Sequence, residues 1–212
     1  ISKEETKMQE TSENYWDTYY RQKKKPSPPS QFAAYVLNEF SHKRRFVDIG
    51  CGDGRDSLFF ARHGMQVLGL DGSSTAIKIC QDKALSSSLI DVSFQRLRLN
   101  NPEEISAFLV LNRKIWSGAL IYARFFLHAI DEISEQNFLK FASELIGNDG
   151  HLCLEFRTLR DEFQQKETGN HYRRYIEPLK FLSHARRHGL DCTYLVEGFG
   201  FAKYKSDDAH VA

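Results

Sequence analysis

Residues able to do chemistry gather in a few short stretches of the chain. The first is "FVDIGCGDGRDSLFFARHG" (Phe46 to Gly64), where Gly50, Gly52 and Gly54 alternate between an apolar run and an amphipathic one. Glycine lets a backbone turn left-handed and approach a ligand closely. A helix opening near Asp56 would present unpaired N–H groups to the same ligand. Asp71 ends the next apolar run, 21 residues after Gly50, where an acid can hold ribose hydroxyls. The spacing is GxGxG, not the GxGxxG that admits a pyrophosphate. Asp48, Asp53 and Asp56 crowd the loop, which suits a cationic ligand better than an anionic one.

Further along, "IYARFFLHAID" supplies Tyr122, Arg124 and His128, "LEFRT" supplies Glu155 and Arg157, and "HYRRY" supplies His171, Tyr172, Arg173 and Arg174. Guanidinium forks fit phosphate or carboxylate, so Arg124, Arg157, Arg173 and Arg174, with Tyr172 and Tyr19, are candidates for an anionic acceptor. The plainer alternative is internal pairing, for instance Glu155 with Arg124, which would only close the end of a sheet. A hydroxyl acceptor needs a base that titrates near neutral pH. His128 is the first choice, His171 the second and Glu155 the third, with a packing role as the alternative for His128. No dense carboxylate cluster calls for a metal, and none is expected.

The elements that must position these groups alternate. Strands are expected at "RFVDIG", "QVLGLD", "VSFQRL", "GALIYA" and "HLCLEF". Amphipathic helices are expected over Gln31 to His42 (Phe32, Tyr35, Val36 and Phe40 inward), Asp56 to His63, Ser74 to Leu85, Pro102 to Leu109, Ile133 to Ile146 and Pro178 to His188. Nearly all-apolar strands separated by helices imply a parallel sheet covered on both faces. "LDCTYLVEG" and "FGFAKYK" read as a closing antiparallel pair. The expectation is a doubly wound α/β domain over residues 31–212. Residues 1–30 form a short aromatic helix and a Pro-rich stretch, "KKKPSPPS", acting as lid or linker. Tyr15, Trp16, Tyr19 and Tyr20 of that helix either shield a ligand or cover the sheet.

The stretch "VDIGCGDGRDSLFFARHGMQVLGLDGS" resembles the first motifs of class I S-adenosylmethionine-dependent methyltransferases, and "GCGDGRD" is similar to their thiopurine and tellurite-resistance branch. The resemblance implies a Rossmann-like sheet of seven strands with S-adenosyl-L-methionine over the glycine loop. Asp48, Gly50, Cys51, Gly52 and Gly54 would meet its amino-acid end and Asp71 its ribose. Arg55, Asp56, Gly72, Ser73 and Tyr122 would complete the cofactor set. "RLRLNNPEE" departs from the family, which often has an acid there to meet the adenine, so Asn100 or Asn101 must serve; Asn100 is assigned. "RFFLHAI", "EFRT" and "HYRRY" also resemble methyltransferases of bacterial capsule and O-antigen clusters. That second likeness implies a sugar hydroxyl or phosphorylated acceptor in surface-polysaccharide biosynthesis. The alternatives are methyl transfer to sulfur, selenium or tellurium, and an inactive cofactor-binding domain of a larger protein.

Composition bounds these readings. A net charge of +1 over 212 residues gives no global field for nucleic acid. Cys51, Cys80, Cys153 and Cys192 form no CxxC pair, which argues against a zinc site or disulfide framework and for a reducing cytoplasm. No apolar run approaches the ~18 residues of a membrane span. A start without Met and a stop at "AHVA" suit a piece of a longer polypeptide or a member of a biosynthetic complex.

Overall fold

A computed structural model describes residues 15–21, 28–164, 172–204 and 206–212. Its centre is a parallel sheet of β1 (Arg45–Ile49), β2 (Gln66–Asp71), β3 (Val92–Arg96), β4 (Leu120–Arg124) and β5 (His151–Glu155), in the order β3-β2-β1-β4-β5. β1 to β3 are laid down in one direction and β4 and β5 in the other. The order therefore reverses between β1 and β4, and the carboxyl ends of those two strands open onto a crevice.

Around the sheet lie α1 (residues 15–21), α2 (Gln31–Glu39), α3 (Arg55–Arg62), α4 (Ser74–Ser86), α5 (Pro102–Trp116), α6 (Glu132–Ile146) and α7 (Pro178–Arg187). Alternation along the strands sends neighbours to opposite faces. Phe46, Val67, Leu120 and Tyr122 pack beside Ala33 and Val36 of α2 and Phe60 of α3. Val47, Leu68, Ile121 and Ala123 face Phe108 of α5, Phe138 and Leu145 of α6 and Phe181 of α7. Side-chain caps start the helices cleanly: Ser30 accepts from Ala33 N, Ser73 from Ala76 N, and Asn101 from Glu103 N and Glu104 N ahead of Pro102.

Several expectations are corrected. The main sheet has five strands, not seven. β6 (Gly198–Tyr204) and β7 (Asp207–Val211) form a separate antiparallel hairpin, bulged between Gly198 and Ala202. The hairpin joins the main sheet only beyond the end of β5. There Phe156 and Ala212 exchange backbone hydrogen bonds of 3.0 and 3.1 Å, and Thr158 N donates to His210 O at 3.0 Å. Residues 190–197 are not a strand, because the ladder of β6 begins at Gly198 and nothing among the described residues lies opposite the preceding stretch. α5 continues past Leu109 to Trp116, since Phe108 and Trp116 both reach the core. α2 stops at Glu39, and Tyr35 turns outward to stack on Tyr194 at 6.2 Å. Among the described residues no helix is long and apolar enough to cross a membrane.

Candidate active site

The crevice above β1 and β4 is a cavity of about 960 Å³, within the range of small-molecule and cofactor sites. Its floor is the glycine loop. Gly50 N and Cys51 N both donate to Leu70 O, at 2.8 and 3.1 Å, which lays the loop over the end of β2. Gly52 N donates to Asp71 Oδ2 at 2.9 Å, and Ser73 N donates to Asp71 Oδ1 at 2.8 Å. The acid that closes β2 thus holds both the loop and the start of α4.

The glycines receive side chains of the protein itself. A Cβ on Gly50 would lie 2.7 Å from the Phe126 ring, one on Gly52 2.5 Å from the Tyr20 hydroxyl, and one on Gly54 2.9 Å from Cys80 Sγ. Gly52 also has φ +57°, so any other residue there would be both strained and overlapped. The signal for Tyr20 was the aromatic run of α1; for Phe126 it was only its place after β4.

Charge is distributed unevenly around the loop. Lys83 Nζ reaches Asp53 Oδ2 at 2.8 Å. Arg55 grips Asp56 with two hydrogen bonds of 2.9 Å, and Ser30 N, Ser30 Oγ and Tyr122 OH also donate to the same carboxylate. Burial pushes the Asp56 carboxyl up, but Arg55 and the Ser30 donors outweigh it and hold it below the usual range. Asp48 and Asp71 have no ion pair among the described residues. Asp48, 3% exposed, accepts from Ser57 Oγ at 2.5 Å, and burial lifts its carboxyl to about 8. Burial also raises Asp71, against the pull of the Ser73 and Gly52 N–H groups. Two carboxyls without a cation beside a bare loop make a donor set that fits a cationic cofactor carrying an ammonium and ribose hydroxyls.

Most of the sequence-predicted residues come together here. Asp48, Gly50, Cys51, Gly52, Arg55, Asp56, Asp71, Gly72, Ser73, Asn100 and Tyr122 line the cavity, as do Tyr19, Arg124, His128, Arg157, Tyr172 and Arg173. Asn101 is taken up in capping α5, leaving Asn100 at the rim. Gly54 lies behind the wall, at the left-handed N-cap of α3. His171 lies outside the described residues.

Three of the candidate acceptor arginines have carboxylate partners within the protein. Arg124 Nε meets Glu155 Oε1 at 2.5 Å, and burial raises the Glu155 carboxyl against that pairing. Glu155 is buried and is not among the residues that line the cavity. Arg157 is buried between Asp161 (2.5 Å) and Asp207 (2.6 Å). Arg174 pairs with Glu135 at 2.6 Å, away from the cavity. Buried charge is tolerated only with such partners, so these three guanidiniums are matched within the protein.

His128 lines the cavity from a short 3-10 turn after β4 (Leu127–Ala129). It is buried, its ring meets Phe125 edge-on at 5.3 Å, and its carbonyl accepts from Arg174 N at 2.8 Å. Phe125 itself has φ +53°, an uncommon conformation for an aromatic residue and a feature of functional turns. The reversal sends consecutive rings to different partners. Phe126 goes to the glycine loop, and Phe125 to His128 and the guanidiniums of Arg124 and Arg157, at 4.2 and 5.0 Å.

Residues 46–112, from β1 through most of α5, match the family model described as a methyltransferase domain. The match supports methyl transfer as the chemistry of this segment. Similar solved structures include the CcbJ methyltransferase of Streptomyces caelestis, 13% identical over 91% of this chain and 92% of that one, with a TM-score of 0.63. A TehB-like SAM-dependent methyltransferase of Corynebacterium glutamicum is 15% identical over 95% of each chain, with a TM-score of 0.58. Magnesium protoporphyrin IX methyltransferase of Synechocystis, with bound SAM, is 15% identical over 84% of this chain and 73% of its own, with a TM-score of 0.59. At these identities the likeness is one of fold. No curated protein matches the methyltransferase in sequence.

Proposed function

We propose that the enzyme methylates a hydroxyl of a small acceptor, a sugar in surface-polysaccharide biosynthesis being the specific reading, with His128 as general base. The carrying observation is the position of His128: a buried imidazole at the end of β4, lining the same cavity as the glycine loop. When bound, the cofactor would supply an electrophilic methyl from a sulfonium sulfur, which leaves as a neutral thioether. Asp71 would hold the ribose and Asp48 the amino-acid end. His128 accepts the proton of the acceptor hydroxyl as that oxygen takes the methyl. Phe125 packs edge-on against the imidazole and the Arg174 N–H holds the His128 backbone carbonyl, so much of the rate would come from positioning.

Arg124, Arg157 and Arg174 are matched internally, and Arg173 and Tyr172 also line the cavity beside aromatic rings. The test is transfer from methyl-labelled S-adenosylmethionine to a panel of nucleotide sugars and glycan fragments, with His128→Gln beside the wild type. His128→Gln should lower kcat on a hydroxyl acceptor by about 10²-fold or more and leave S-adenosylhomocysteine affinity unchanged. Label on a thiol or tellurite, at equal rates in both proteins, would mark a soft acceptor needing no base and sink the proposal.

A further inference from the structure

The cavity wall facing the glycine loop is made by α1. Trp16, Tyr19 and Tyr20 all line the cavity. The Tyr20 ring stacks on Trp16 at 6.0 Å and 27°, and meets Tyr19 edge-on at 5.3 Å. Its hydroxyl fills the space beside Gly52 that a Cβ would take. α1 is tied down by a hydrogen bond from Ser73 Oγ to Asp17, at the head of α4. Burial, followed by the charges of Asp71, Cys51 and Asp53, pushes the Tyr20 phenol well above its usual range. The phenol therefore stays neutral, and its ring keeps the electron-rich face that attracts cations. Asp48 and Asp71, which have no ion pair among the described residues, line the same cavity.

Aromatic faces on one side and unmatched carboxyls on the other form an environment that seeks positive charge. We propose that Tyr20, backed by Trp16, is a cofactor-binding residue that recognises the charge on the cofactor's sulfur. The site then holds S-adenosylmethionine in preference to S-adenosylhomocysteine. This rests on the glycine loop being the cofactor site. It also gives turnover a direction: methyl transfer removes the sulfur's charge, and with it the part of the binding that Tyr20 supplies. Gly52 is accordingly bare for the tyrosine as well as for the cofactor.

The experiment is calorimetry of S-adenosylmethionine and S-adenosylhomocysteine on the wild type, Tyr20→Leu, Tyr20→Phe and Asp71→Ala. Tyr20→Leu should weaken S-adenosylmethionine about tenfold, a desolvated cation–π contribution, and S-adenosylhomocysteine less than about threefold. Tyr20→Phe, which keeps the ring, should retain the wild-type preference. Equal losses for both ligands in Tyr20→Leu would make the residue a mere cover, and no loss would remove it from the site; either overturns the proposal. Loss of the preference in Tyr20→Phe would transfer recognition to the hydroxyl and also overturn it. Asp71→Ala should weaken both ligands together. Unchanged binding of both in that variant would instead remove the glycine loop as the cofactor site, whatever Tyr20 does.

Discussion

At the scale of single residues, Asp48 makes the most direct pH prediction. In the unfolded chain its carboxyl titrates near 4, but in the folded protein burial holds the proton until about pH 8. The folded state binds more protons than the unfolded one between those values, so Asp48 makes stability fall as pH rises from about 4 to about 8. A cation bound beside it favours the carboxylate, so cofactor binding should release a proton below pH 8 and tighten as pH rises towards it. Thermal melts of the free enzyme against pH, repeated for Asp48→Asn, would reveal this contribution as a slope that the variant lacks. Identical slopes would mean that Asp48 is ionised throughout. Its role was legible only in part. The sequence places an acid before the glycines, but burial and the Ser57 hydrogen bond depend on α3 folding back across β1.

At the scale of elements, the hairpin of β6 and β7 hangs on few contacts. Arg157 joins Asp207 of β7 to Asp161, and all three are buried. Without Asp207, Arg157 keeps Asp161 but loses its charge-assisted hydrogen bonds to β7, so Asp207→Ala should destabilise the enzyme by about 1.5–3 kcal/mol. Hydrogen exchange should show the hairpin amides of residues 198–211 losing protection first; uniform loss across β1 to β5 would contradict this local role. None of that was readable from spacing. Arg157 and Asp207 are fifty positions apart, and a fork able to hold phosphate is equally able to hold two carboxylates. The pairing of Arg124 with Glu155 was foreseen as the plainer alternative, because the two residues end adjacent strands of one sheet. The strand expected over residues 190–198 fails for the opposite reason. Its composition favours extended backbone, but a strand exists only with a neighbour, and local composition does not name neighbours.

At the scale of the whole molecule, β1 to β5 and the intervening helices other than the end of α5 were legible to within about two residues, because each buries an apolar face whose period marks its type. The less visible feature is how the outer layers are fastened to the sheet. Asp56 gathers Ser30 at the head of α2, Arg55 of α3 and Tyr122 of β4 on one carboxylate. Asp56→Ala should leave the Arg55 charge and the Tyr122 hydroxyl without their partner, lowering stability by about 3–5 kcal/mol. It should also weaken S-adenosylhomocysteine in calorimetry, because the same carboxylate holds the end of the loop. A variant with wild-type melting temperature and affinity would show that α2 and α3 are held by their apolar faces alone.

The three glycines carry a consequence for how this loop can change over evolutionary time. Each is one half of a lock whose other half lies elsewhere: Gly50 with Phe126 beyond β4, Gly52 with Tyr20 of α1, and Gly54 with Cys80 of α4. Drift at any of the six positions is therefore not independent. A larger residue in the loop is admissible only where the opposite side chain has already shrunk, and enlarging Cys80 would be felt as an insult to the loop. Such pairings turn a short glycine run into a record of the three elements that close on it, written in what each position is unable to become.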